Sequence, residues 1–91
     1  MMDELIIELD RVSLRRELLG SLREELEAGG IWGGRFAIGD VTASPEMIYF
    51  LWHDSGQVPV SMLVRREDCK TEEATRVVAR DFIVKWKRSL G

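Results

Sequence analysis

Ninety-one residues with a single cysteine leave room for one domain and exclude both a disulfide framework and a thiolate metal site. Apolar residues make up 45% of the chain, an ordinary globular value that argues against disorder; the chain has no strongly basic stripe of the kind that marks a nucleic-acid binder, and at a net charge of −3 it is not acidic enough for a DNA mimic. The start, Met1-Met2-Asp3-Glu4, is acidic where a secretory signal is basic, and the longest apolar run, Met47 to Trp52, is far short of the ~20 residues that span a bilayer. The expected location is the cytoplasm.

Asp3 to Asp10 alternates, with Leu5, Ile7 and Leu9 on one side and Glu4, Glu8 and Asp10 on the other. That is the pattern of a half-buried strand, although Ile6 breaks it and an added turn of helix is the rival reading. Ser13 is a candidate N-cap for a helix whose Leu14, Leu18, Leu22 and Leu26 form an apolar stripe. Gly29-Gly30 supplies its stop, and Gly20 weakens its middle.

Three strands are expected next. Arg35 to Val41 puts Phe36 and Ile38 on one face and Ala37, Gly39 and Val41 on the other. Ser44-Pro45 marks a turn. Met47 to His53 is apolar on both faces, and Asp54-Ser55-Gly56-Gln57 has the composition of a hairpin turn. Val58 to Arg65 alternates again. The final helix opens at Thr71, carries Glu72 and Glu73 at its positive end and Lys85, Lys87 and Arg88 at its negative end. Its stripe is Thr75, Val78, Ala79, Phe82, Ile83, Trp86 and Leu90. The fold class is therefore α+β: helix, three-stranded antiparallel meander, helix, with an extra N-terminal strand. The two helical stripes are expected to pack on the Phe36, Ile38, Val60 and Met62 face as one core.

No catalytic or metal constellation emerges, and no cofactor is expected. Trp52-His53-Asp54-Ser55 holds triad residue types, but strand neighbours point to opposite faces and a triad needs side chains converging from distant segments. One histidine and one cysteine cannot fill a zinc site. Gly29-Gly30-Ile31-Trp32-Gly33-Gly34 follows a helix and precedes a strand, the reverse of a phosphate-binding loop, and reads as a connector. Trp32 within it is either a core lid or an exposed anchor. Cys69, between Asp68 and Lys70 in a polar approach to the last helix, reads as dispensable.

Two features point to binding. If both helices cover one sheet face, the other shows either Ile48, Phe50 and Trp52 or Met47, Tyr49 and Leu51, beside Ala37 and Leu63. An apolar cluster of that size marks an interaction site. If the helices lie on opposite faces, both are covered. Val77 and Val84, seven residues apart, face away from the main stripe of the last helix. Trp32, Tyr49, Leu51, Trp52, Val77 and Val84 are thus the candidate interaction residues. The expected function is a non-catalytic protein-interaction module, an adaptor, regulator or inhibitor, that pairs with itself as a homodimer and with another protein. The alternative is a nucleic-acid-associated protein that stacks bases on Trp32, Tyr49 or Trp52 beside Arg65, Arg66, Arg76 and Arg80.

The order helix, three-stranded meander, helix over roughly residues 13–90 resembles the double-stranded-RNA-binding domain. In that family a pair of lysines opens the second helix and grips phosphate. Glu72 and Glu73 stand in that place, so the resemblance implies a fold and argues against the family's binding function.

Overall fold

Alternation of apolar and polar residues becomes strand, and four-residue spacing becomes helix, in the order the sequence implies. A computed structural model describes residues 5–10 and 15–90. It contains β1 (Ile6–Asp10), α1 (Arg16–Ala28), β2 (Arg35–Val41), β3 (Ser44–His53), β4 (Val60–Arg65), one 3-10 turn (Arg66–Cys69) and α2 (Glu72–Ser89). The expected cap at Ser13 and the first stripe residue, Leu14, lie outside the described residues. The sheet order is β1-β2-β3-β4, with β1 parallel to β2 and the rest antiparallel.

The register decides which side chains share a face. Ile7 lies opposite Phe36 and Leu9 opposite Ile38; Phe36 then faces Trp52, and Ile38 faces Phe50. Ile48, Phe50 and Trp52 pair in turn with Val64, Met62 and Val60. Nearly all of these point inward, joined by Leu22 and Leu26 of α1 and Val78, Ala79, Phe82 and Ile83 of α2 in one hydrophobic cluster. Both helices therefore cover the same sheet face. At its centre Phe82 meets Phe36 and Phe50 edge-on, with centroids 5.1 and 6.2 Å away. Each such buried side chain stabilises the fold by roughly 1.5–3 kcal/mol relative to exposure.

Helix ends follow local chemistry. Gly30 takes φ 102°, and the Gly30 and Ile31 amides donate to Glu27 and Leu26 carbonyls at 3.0 and 2.9 Å. This glycine-closed end also packs Ile31 and Leu26, both buried, against the core. Thr71 caps α2 as expected, its hydroxyl accepting from the Ala74 amide at 3.1 Å.

Two boundaries and the burial of one residue differ from expectation. Ser44 and Pro45 belong to β3, and the turn is Thr42-Ala43. A register shift between Asp40 and Val41 leaves Pro45 with no β2 partner, so its missing N–H interrupts no ladder bond. β4 begins at Val60, leaving Val58 79% exposed in the loop. Cys69 is buried in the core cluster, because the 3-10 turn rotates it inward while Asp68 and Lys70 stay exposed.

Candidate functional site

With both helices on the inner face, the outer face of the sheet is uncovered. It is built from alternate residues of all four strands. Ile6 and Glu8 come from β1, Arg35, Ala37 and Gly39 from β2, Met47, Tyr49, Leu51 and His53 from β3, and Ser61, Leu63 and Arg65 from β4. The middle rows are apolar: Ala37 faces Leu51, and Tyr49 faces Leu63. Leu63 is 62% exposed and Ile6 46%, while Ala37, Met47, Tyr49 and Leu51 are half-buried.

Tyr49 is seated by Gly39. The two are register partners, and the tyrosine ring occupies the space where any other residue would carry its Cβ. That lays the ring across the sheet. Beside it a groove of about 450 Å³ runs over β4, lined by Tyr49, Leu51, Ser61, Met62, Leu63 and Lys85.

Charge is confined to the rim of the face. Arg35 pairs with Glu8 at 2.5 Å at one corner, and Arg65 pairs with Glu67 at another. An apolar centre within a polar rim is the usual anatomy of a protein interface.

The expected residues are distributed unevenly over the molecule. Tyr49 and Leu51 lie on the open face, as one of the two strand parities requires. Trp52 does not: it has the opposite parity and is 5% exposed in the core. Its Nε1–H donates to the Gly33 carbonyl at 2.9 Å, and its ring meets Trp86 edge-on at 5.7 Å. The glycines of the connector serve this contact, since a Cβ on Gly34, at φ 85°, would come within 2.8 Å of the Trp52 indole nitrogen and the His53 carbonyl. Trp32 is 57% exposed on the same connector, so it is not a lid on the core. Val77 and Val84 are each half exposed on α2, away from the sheet face. Sequence reasoning missed Ile6 as a member of the face. The signal was present, because the residue that breaks the inward alternation of β1 points outward.

The arginines proposed for nucleic acid are engaged with carboxylates. Arg76 reaches Glu24 at 2.9 Å, Glu72 at 3.2 Å and Glu25 at 3.3 Å, while Arg80 reaches Glu25 at 2.5 Å. Arg66 pairs with Asp40 at 2.5 Å, and Arg65 with Glu67. The Arg80 guanidinium beside Glu25 holds that carboxyl below its usual range despite partial desolvation. Hydrogen bonds from Ser21 and Arg76 do the same for Glu72, at the place where the RNA-binding family has lysine.

His53, Asp54 and Ser55 do not converge. Asp54 holds the turn, its carboxylate accepting from the Ser55 amide at 2.8 Å and its carbonyl from the Gln57 amide at 3.1 Å. Gly56 completes that turn at φ 77°. Burial, aided by the Asp68 charge, pushes the Cys69 thiol up to about 11, so it is neither thiolate nor accessible. Among the described residues no group of three or more His, Cys, Asp or Glu side chains is placed to hold a metal ion, and no helix is long and apolar enough to cross a membrane.

Comparison with protein-family models, with curated proteins and with solved structures finds no match.

Proposed function

We propose that this chain is a non-catalytic protein-interaction module, an adaptor, regulator or inhibitor, whose working surface is the open face of its sheet. The observation that carries this reading is the outward row of Ala37, Met47, Tyr49, Leu51 and Leu63, none of them covered by either helix. Contiguous apolar surface rimmed by polar groups is retained on soluble domains chiefly where something binds. The nucleic-acid reading loses support because Trp52 is buried and Arg65, Arg66, Arg76 and Arg80 are each paired with a carboxylate. Phosphate binding would have to displace those carboxylates first.

The test compares what the chain holds in its native host when wild type, when Leu63→Glu, and when Val77→Glu. Leu63→Glu is expected to lose the bound proteins and Val77→Glu to keep them. The reverse pattern would move the working surface to α2. Nucleic acid retained in a salt-sensitive way would replace this reading with the alternative one.

A further inference from the structure

Away from the open face, α2 carries a second exposed surface. Glu73, Val77, Val84 and Arg88 follow one another at intervals of four, seven and four residues. At about 3.6 residues per turn the four fall within a sector about 60° wide, opposite the buried stripe through Val78 and Phe82. Both valines are 50% exposed, and Glu73 and Arg88 are exposed.

The charges of this row are not used within the chain. Among the described residues neither Glu73 nor Arg88 has an ion-pair partner, whereas Arg76 and Arg80, on the flank toward α1, are held by Glu24, Glu25 and Glu72. The helix dipole accounts for an acid at one end and a base at the other. It does not account for the two half-exposed valines, each set four residues inside one of those charges.

The row is antisymmetric about its middle. Val77 and Val84 lie equally far from the midpoint between Arg80 and Asp81, and so do Glu73 and Arg88, with opposite charges. Turning the helix end for end therefore exchanges valine for valine and carboxylate for guanidinium. We infer that two copies of this chain pair through α2, antiparallel about a two-fold axis at Arg80–Asp81, with Val77 against the partner's Val84 and Glu73 against the partner's Arg88. A two-fold contact must be self-complementary, and this row is complementary to its own reverse in both shape and charge. The surface is distinct from the open face, and the inference does not rest on the reading of that face.

The spacing also sets the geometry. Rows with this mixture of four- and seven-residue steps pack at a shallow crossing of about 20°, with axes ~8–10 Å apart. The contact then runs the ~22 Å from Glu73 to Arg88. Beside Val77 lies a groove of about 490 Å³ whose lining includes Asp68 and Glu73, and the partner's Arg88 is carried to this acidic end. Asp81 sits next to the axis and meets its own copy at the margin of the contact, which opposes association. A single pair of helices buries less than the ~1,200 Å² of a standard interface, so the dimer is weak and reversible.

Sedimentation equilibrium of the full chain tests this, from about 10 μM to about 1 mM, a range that covers weak association. The wild type is expected to approach twice the 10.4 kDa of one chain toward the upper end. Glu73→Arg and Arg88→Glu are each expected to weaken the dimer by at least about tenfold, and the double variant Glu73→Arg/Arg88→Glu to restore it. Asp81→Asn should strengthen it, and Leu63→Glu, on the open face, should leave it unchanged. Circular dichroism of each variant checks the helix; Glu73→Gln and Arg88→Gln serve if a reversed charge unfolds it. Each reversed charge opposes the helix dipole, so a loss caused by folding would be greatest in the double variant, and recovery there reports the contact between copies. A wild-type mass that stays at one chain up to the highest concentration overturns the inference. So does a dimer indifferent to both single reversals, a double variant weaker than either, or a dimer lost on Leu63→Glu.

Discussion

Phe82 of α2 meets Phe36 of β2 with centroids 5.1 Å apart and ring planes at 90°. Both rings are fully buried, and with Phe50 they form the contact through which the last helix is held to the sheet. Truncating such a ring removes its burial and leaves a cavity. Phe82→Ala is therefore expected to cost ~3–5 kcal/mol. A domain of this size holds only ~5–10 kcal/mol, so the variant should be close to unfolding. A urea titration checks this; a midpoint like that of the wild type would mean that α2 is not anchored by this ring.

Gly20 gives the opposite sign. It lies inside α1 and is exposed, and a Cβ placed on it would meet nothing within 4 Å. Its only effect is the entropy it adds to the unfolded chain. Gly20→Ala should stabilise the protein by up to ~1 kcal/mol. A thermal melt showing a lower midpoint would place an unseen contact at this position.

Cys69 is expected to be chemically quiet and structurally needed. With its thiol pushed up to about 11, the native protein at pH 8 holds about a hundredfold less thiolate than an exposed cysteine. A chromogenic disulfide reagent should label it slowly in the native state and at once in guanidinium. The folded pKa lies above the unfolded value of 9.0, so this group's contribution is complete below pH 9 and falls away as pH rises toward 11. Cys69→Ser places a hydroxyl in the core and should cost ~1–3 kcal/mol. Immediate native labelling would show that the 3-10 turn leaves the thiol open.

The bridge between the helices predicts sensitivity to acid. Glu25 and Glu72 are held below the carboxylate value of 4.5 by their hydrogen bonds to Arg80, Ser21 and Arg76. The unfolded chain then binds more protons near that pH, so their contribution is present above it and lost as pH falls through the folded values. Glu25→Gln should lower the melting temperature at pH 7 and make progressively less difference below pH 4.5. A difference that is unchanged at pH 3 would show that the ion pairs do not carry it.

How far the sequence reveals all this depends on the range of the interactions. Element order and most of the α2 stripe are legible because periodicity is local: Thr75, Val78, Ala79, Phe82 and Ile83 recur at helical spacing and are the buried residues of that helix, while Trp86 is partly buried and Leu90, expected on the same stripe, ends 53% exposed past the last turn. The N-cap at Thr71 and the turn at Gly56 follow from single residues, a hydroxyl in one case and the absence of a Cβ in the other. The sidedness of β3 is not legible, because Met47 to Trp52 is apolar at every position and parity is settled only by which face the helices cover. That is why Trp52 and Tyr49 look equivalent in sequence and end on opposite sides. The carboxylate partners of Arg76 and Arg80 on α1 lie more than 50 positions away, as in Arg76 with Glu24, and no local pattern announces them. Cys69 is hidden by its charged neighbours, which a short 3-10 turn separates from it.

The central claim is that the open outer face of the sheet is the surface through which the chain binds its partner. The most direct measurement compares the host proteins held by the wild type, Leu63→Glu and Val77→Glu, each shown to be folded by circular dichroism; Leu63 is 62% exposed on that face and Val77 lies on α2 away from it. Loss of the bound proteins with Leu63→Glu and their retention with Val77→Glu is the expected result. Retention with Leu63→Glu, or loss confined to Val77→Glu, would contradict the claim.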